Sequence, residues 1–111
     1  MQIPTITDNV DTTFNVAWNL PAENGGPIIQ YQIVLQGVNG NFYNTSYCNG
    51  SDPTIVANKY CNIPMSVMQN LPFALSQGAL IVAEISAMNV EGWGLASSPN
   101  TVGVYVQTVP L

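Results

Sequence analysis

Residues 14–35, FNVAWNLPAENGGPIIQYQIVL, decide the fold. The run opens in strict alternation, with Phe14, Val16, Trp18 and Leu20 to one side and Asn15, Ala17 and Asn19 to the other. A period of two with one apolar side suits a strand that turns a single face to a core. Pro21 ends the strand, because proline has no N–H to give to a ladder. Asn24-Gly25-Gly26-Pro27 then supplies positive φ and a fixed bend. A second alternation begins at Ile29, with Tyr31, Ile33 and Leu35 inward and Gln30, Gln32, Val34 and Gln36 outward. The stretch predicts strand, corner, strand, anchored by Trp18 on the first strand and Tyr31 on the second.

Upstream, residues 3–6 form a short edge strand with Pro4 at its start, where a missing N–H is tolerated. Thr7, Asp8, Asn9, Asp11 and Thr12 are turn formers. Downstream, Val38-Asn39-Gly40-Asn41 is a hairpin signal between strand-like runs, leading into a strand over 42–47. Asn49-Gly50-Ser51-Asp52-Pro53 is a loop. Residues 55–63 regain β character up to Pro64. Between 65 and 78, Met65, Met68, Leu71, Phe73 and Leu75 are apolar, but Pro72 and Gly78 break any long element. That segment reads as a helical turn or an irregular crossover to the other sheet. Residues 80–89 form a strand with Ile81, Ala83, Ile85 and Ala87 inward. Residues 101–109 form the last strand, where Val102, Val104 and Val106 alternate with Gly103, Tyr105 and Gln107. Seven short strands separated by turns predict an all-β Greek-key sandwich.

The order Trp18, Pro21, Gly25-Gly26, Ile28, Tyr31, with Ala87, Asn89, Gly92, Gly94 and Ser97 downstream, resembles the fibronectin type III module, an immunoglobulin-like seven-stranded sandwich. The likeness spans residues 4–110 and implies a fold more than a function, since such sandwiches act as binders, spacers and scaffolds. Ile81 stands where the family usually places a tyrosine that ties down a corner. The region 42–78 is longer than common modules need and holds both cysteines. With Cys48, Cys61-Asn62-Ile63-Pro64-Met65-Ser66 and Pro72-Phe73, it resembles the tandem Cys-containing repeats of large extracellular protist proteins. That likeness implies one bead of a surface or secreted array.

A chain of 111 residues is expected to form one domain over 1–111, and its 47% hydrophobic content comes without a membrane-length apolar run. Only 6% of residues are charged, with six carboxylates against the single cation Lys59 and a net charge of −5. Nucleic acid is excluded as a partner, because neutralising phosphates takes clustered Lys or Arg. MQIPTITD lacks the charged start and apolar segment of a secretory signal, so a mature chain or an excised module is expected.

Candidate chemistry is sparse. The sequence has no histidine, and Asp8, Asp11, Glu23, Glu84 and Glu91 read as solvated turn or surface carboxylates. No catalytic residue, metal site or cofactor is expected. The cluster Asp8, Asn9, Asp11 lacks the ligand pattern that calcium needs. Cys48 and Cys61 are too few for zinc. In an oxidising compartment they pair, with ~3 kcal/mol from closing the loop; in a cytosolic protein they stay reduced. Two glycosylation acceptor patterns, Asn44-Thr45-Ser46 and Asn49-Gly50-Ser51, flank Cys48 and favour secretion to the extracellular space or cell surface.

Trp93, between Gly92 and Gly94, lies in the loop between the last two strands. Two readings are open: it folds back over its own loop or a neighbouring repeat, or it anchors a partner. The outward positions Val34, Val82, Met88 and Tyr105 lie on a face with hardly any charge. Either they form an apolar contact patch for neighbouring repeats or copies of the chain, or polar residues keep the face wet. These features predict a non-catalytic structural or adhesive module, with a carbohydrate- or protein-ligand-binding domain built around Trp93 as the alternative.

Overall fold

The computed structural model describes residues 3–8, 13–21, 26–94 and 96–106. Two antiparallel sheets face each other. The first has the order β1 (Thr5–Asp8), β2 (Thr13–Ala17), β5 (Tyr60–Pro64). The second has the order β4 (Phe42–Tyr43), β3 (Gln30–Gln36), β6 (Ala83–Asn89), β7 (Gly92–Trp93). Two short helices, α1 (Pro53–Asn58) and α2 (Met65–Gln69), flank β5.

Alternation in the sequence becomes burial in the fold. Phe14 and Val16 of β2, Tyr31, Ile33 and Leu35 of β3, and Ala83, Ile85 and Ala87 of β6 all lie in one hydrophobic cluster. Trp18, one residue past β2, is 5% exposed and meets Tyr31 edge-to-face with ring centroids 5.2 Å apart. Its backbone N–H donates to Lys59 O at 3.1 Å, so the chain still follows β5 beyond the formal end of the strand. The indole Nε1 has no hydrogen-bond partner among the described residues, so Trp18 is held there by packing. Phe73 closes the far end of the core against Tyr43, with centroids 5.9 Å apart.

Several sequence expectations are corrected. Leu20 is exposed rather than inward, because the ladder has ended before it. The expected strand over 42–47 pairs only at Phe42 and Tyr43, and a 3-10 turn at Ser46–Cys48 follows. The expected strand over 55–63 is instead a helix followed by a strand. Asp52 caps α1 by accepting from Thr54 N at 2.9 Å, Pro53 takes the first turn, and Lys59 ends the helix in the left-handed region at φ 61°. The Asp52-Pro53 start signal therefore prevails over the β-branched pair Ile55-Val56. Of the two readings of 65–78, α2 realises the helical turn, and its Met65 and Met68 are buried.

The last segment also differs from expectation. The seventh strand is the two-residue β7, whereas residues 101–106 form no strand and follow residues 78–81 through the bridge of Leu80 with Tyr105 and backbone bonds from Ile81 N to Val104 O and from Val106 N to Ala79 O. Val104 and Val106 are buried as expected, but Val102 is 76% exposed. Residues 107–109, the turn formers Asn9, Asp11 and Thr12, and the corner residues Asn24 and Gly25 lie outside the described residues. Gly26, at φ +125°, keeps the positive φ expected of that corner.

Candidate functional site

Both long strands of the second sheet are only partly covered on their outer sides. β4 reaches Leu35 and Gln36 of β3, and β7 reaches Met88 and Asn89 of β6. The rest of each edge is closed by loops, and those loops shape the surface.

Along β3 the loop 44–51 takes over where β4 stops. Tyr31 N donates to Gly50 O at 2.9 Å, which seats the loop on the strand edge. Gly50 is buried, and a Cβ there would overlap the Tyr31 carbonyl, so glycine is required for close backbone approach rather than for a left-handed φ. Asn49 braces the same turn: its Oδ1 accepts from Ser51 N at 3.1 Å and from Ser51 Oγ at 2.7 Å. Cys48, at the end of the 3-10 turn, is joined to Cys61 of β5 by a disulfide with Cα atoms 5.4 Å apart. The bond ties the loop to the opposite sheet. It starts from the 3-10 turn that follows β4.

Along β6 the closure is made largely by side chains. Ser97 N donates to Ile85 O at 2.8 Å while Ser97 Oγ accepts from Ile85 N at 3.0 Å. Asn100 Oδ1 accepts from Ala83 N at 2.7 Å, and its Nδ2 donates to Ile81 O at 2.9 Å and Val102 O at 3.1 Å. A carboxamide carries a donor and an acceptor side by side, so Asn100 stands in for a peptide group of a missing strand. Both residues are buried, at 3% and 4% exposure, and both are satisfied. Asn100 was missed in the sequence; its one signal is a polar residue after Pro99 in an otherwise valine-rich stretch.

Trp93 is placed by a tight hairpin. Asn89 pairs with Gly92, Asn89 Oδ1 accepts from Glu91 N at 2.9 Å, and Gly92 takes φ +120°. Trp93 then pairs with Met88, and Met88 with Gln30. Directly paired antiparallel residues share a face, so Gln30, Met88 and Trp93 form one row across the outer side of the sheet. Gln30 Nε2 donates to Met88 Sδ at 3.5 Å within that row. The Trp93 side chain is 50% exposed, and it joins Gln30, Gln32 and the loop 44–51 in lining a cleft of about 450 Å³. Asn44 and Asn49, the two acceptor asparagines, are exposed and line the same cleft.

The register separates the four expected patch residues. Val34 pairs with Glu84, Val82 O accepts from Gln36 N, and Tyr105 bridges Leu80. These lie together at one end with Phe42, the partner of Gln36. Met88 lies at the other end beside Trp93, with Glu84 and Ser86 between the two groups along β6. Among the described residues no group of three His, Cys, Asp or Glu side chains could hold a metal ion. No helix among them is long and apolar enough to cross a membrane.

No protein-family model matches the chain, and no curated protein does. Solved structures do. The chain is similar to the sixth fibronectin type III domain of human fibronectin type III domain containing protein 3, with 20% identity and a TM-score of 0.66 over 99% of this chain and 88% of that one. It is also similar to the fn3 domain of the human collagen alpha-1(XX) chain, with 15% identity and a TM-score of 0.59 over 97% of this chain and 86% of that one. At such identities the likeness is one of fold. The chain has a fibronectin type III-like fold, as its Trp18–Tyr31 stretch implied.

Proposed function

We propose that this chain is a non-catalytic extracellular module with a structural or adhesive role, either a bead of a tandem array or a subunit of a fibrous cell-surface or secreted assembly. The observation that carries this reading is the outer face of the four-stranded sheet. Phe42, Val34, Val82, Leu80 and Tyr105 gather at one end, all half-buried except the more exposed Tyr105. Glu84 is the one charged residue among the described residues at outward positions of β3 and β6. Sheet faces that stay in water are normally protected by charge. A second copy of the module meets one carboxylate at this end, Glu84 beside Val34, and no run of charges.

The Cys48–Cys61 disulfide and the exposed acceptor asparagines Asn44 and Asn49 support an oxidising, secretory setting. The absence of histidine from the sequence supports a non-catalytic role. Introducing lysine at Val34 and at Tyr105 tests the assembly. Sedimentation velocity and electron microscopy are expected to show smaller species than the parent forms, while circular dichroism shows the fold retained. Folded variants with the parent's assembly state would overturn the reading.

A further inference from the structure

The cleft between Trp93 and the loop 44–51 lies at the other end of this face from the assembly contact, and its chemistry is different. Its volume, about 450 Å³, falls within the range of small-ligand sites, roughly 300–1,000 Å³. None of its lining residues is charged. An anionic or cationic ligand would lose its hydration there without gaining a counter-charge, so a neutral ligand is selected. The lining instead supplies uncharged amides and hydroxyls, from Gln30, Gln32, Asn44 and Ser46, around one half-exposed indole. Carboxamides donate and accept at once, which matches the paired donor and acceptor of a sugar hydroxyl. An indole face matches the apolar C–H face of a pyranose ring, and indole is an amphipathic, low-entropy contact group.

The wall opposite Trp93 is held in place before any ligand arrives. Gly50 O is bonded to Tyr31 N, the Asn49 side chain is engaged with Ser51, and Cys48 is tethered to β5. A preformed wall lowers the ordering cost that a weak polar ligand has to overcome. We propose that this cleft is a binding site for a neutral saccharide, a mono- or disaccharide unit stacked on Trp93 with its hydroxyl or acetamido groups on Gln30, Gln32 and Asn44. The same chemistry has two sources. One is a glycan on another molecule, and the other is a glycan attached to the chain's own Asn44 or Asn49 on the rim.

The test begins with the full chain made in a host that does not glycosylate it, followed by NMR of the indole N–H signals. Titration with N,N′-diacetylchitobiose, lactose and cellobiose is expected to shift the Trp93 signal saturably with at least one sugar. The expected Kd is on the order of 1 mM, and the Trp18 signal should stay fixed. Trp93→Ala should weaken binding at least about tenfold and Gln32→Ala by a smaller factor, with folding confirmed by the unchanged Trp18 signal. Chain secreted with its glycans and trimmed to short stubs separates the sources. If the Trp93 signal is already shifted there, and returns in Asn44→Gln or Asn49→Gln, the occupant is the chain's own glycan. If trimmed and unglycosylated chains bind added sugar alike, the occupant comes from elsewhere. The proposal is overturned if no sugar shifts Trp93 at millimolar concentration and the attached stubs leave its signal unmoved. It is also overturned if binding persists unchanged in Trp93→Ala. The assembly reading depends on Val34 and Tyr105 and stands or falls separately.

Discussion

The two central strands of the larger sheet pose the same problem and solve it differently. β3 and β6 each have a two-residue neighbour on the outer side and a longer stretch left over. On β3 the remainder is met by backbone, the Gly50 carbonyl, brought close because glycine has no side chain. On β6 it is met mainly by side chains, Ser97 Oγ and Asn100, which take the place of peptide groups beside the one backbone bond from Ser97 N to Ile85 O. A buried backbone group left unpaired costs more than a typical hydrogen bond contributes, so either closure is sufficient. The consequences differ. A backbone closure leaves the side chains of its loop free to line a surface, and on β3 that surface is the cleft. A side-chain closure consumes polar groups in the interior and builds no such site.

The scale for breaking these closures is set by the core between them. Trp18→Ala, which empties the space against Tyr31, should cost ~3–5 kcal/mol, read from urea unfolding. A cost below about 1 kcal/mol would mean that Trp18 does not organise the two sheets. Next comes Asn100→Ala. It strands the Ala83 N–H and the Ile81 carbonyl in the interior, with an expected loss of ~2–4 kcal/mol and faster amide exchange at Ala83. If the loss matched that of a surface asparagine, the side chain would not be replacing a strand.

Gly50→Ala attacks the other edge. Forcing a methyl group against the Tyr31 carbonyl should cost ~1–3 kcal/mol, mostly by lifting the loop, so Tyr31 amide protection should fall while Ala83 protection holds. Equal loss of protection at both edges would show that they are not independent. Ser97→Ala removes one acceptor, from Ile85 N, while leaving the Ser97 backbone bond in place, and about 1 kcal/mol is expected. The smallest effect should be a gain. Lys59→Gly relieves a left-handed, non-glycine residue at the end of α1 and should stabilise the chain by ~0.5–1 kcal/mol without changing exchange at either edge.

Much of the fold was legible because side-chain alternation is a local property. Phe14, Val16 and Trp18, then Tyr31, Ile33 and Leu35, then Ile81 to Ala87 at every second position, are buried as their spacing indicates. Misreadings fell where two local signals competed. Ile55-Val56 favoured a strand, but the cap and proline at Asp52-Pro53 made a helix. Val102 continued an alternating pattern, yet no sheet pairing is present there to fix its side.

The candidate site was legible only in part. Trp93 between two glycines signalled an aromatic without a core role, and Asn44 and Asn49 signalled exposed loops. What brings them into one cleft is the register Gln30–Met88–Trp93 across three strands and the seating of Gly50 on β3. The same register splits Val34, Val82 and Tyr105 from Met88. By itself the sequence determined the central strands β2, β3 and β6, their inward faces and the scarcity of charge, because each is written in neighbouring residues. Which loop closes which edge, and therefore which distant side chains share a surface, was decided only by tertiary structure. Those contacts join residues up to about half the chain apart, and a period of two says nothing about partners at that distance.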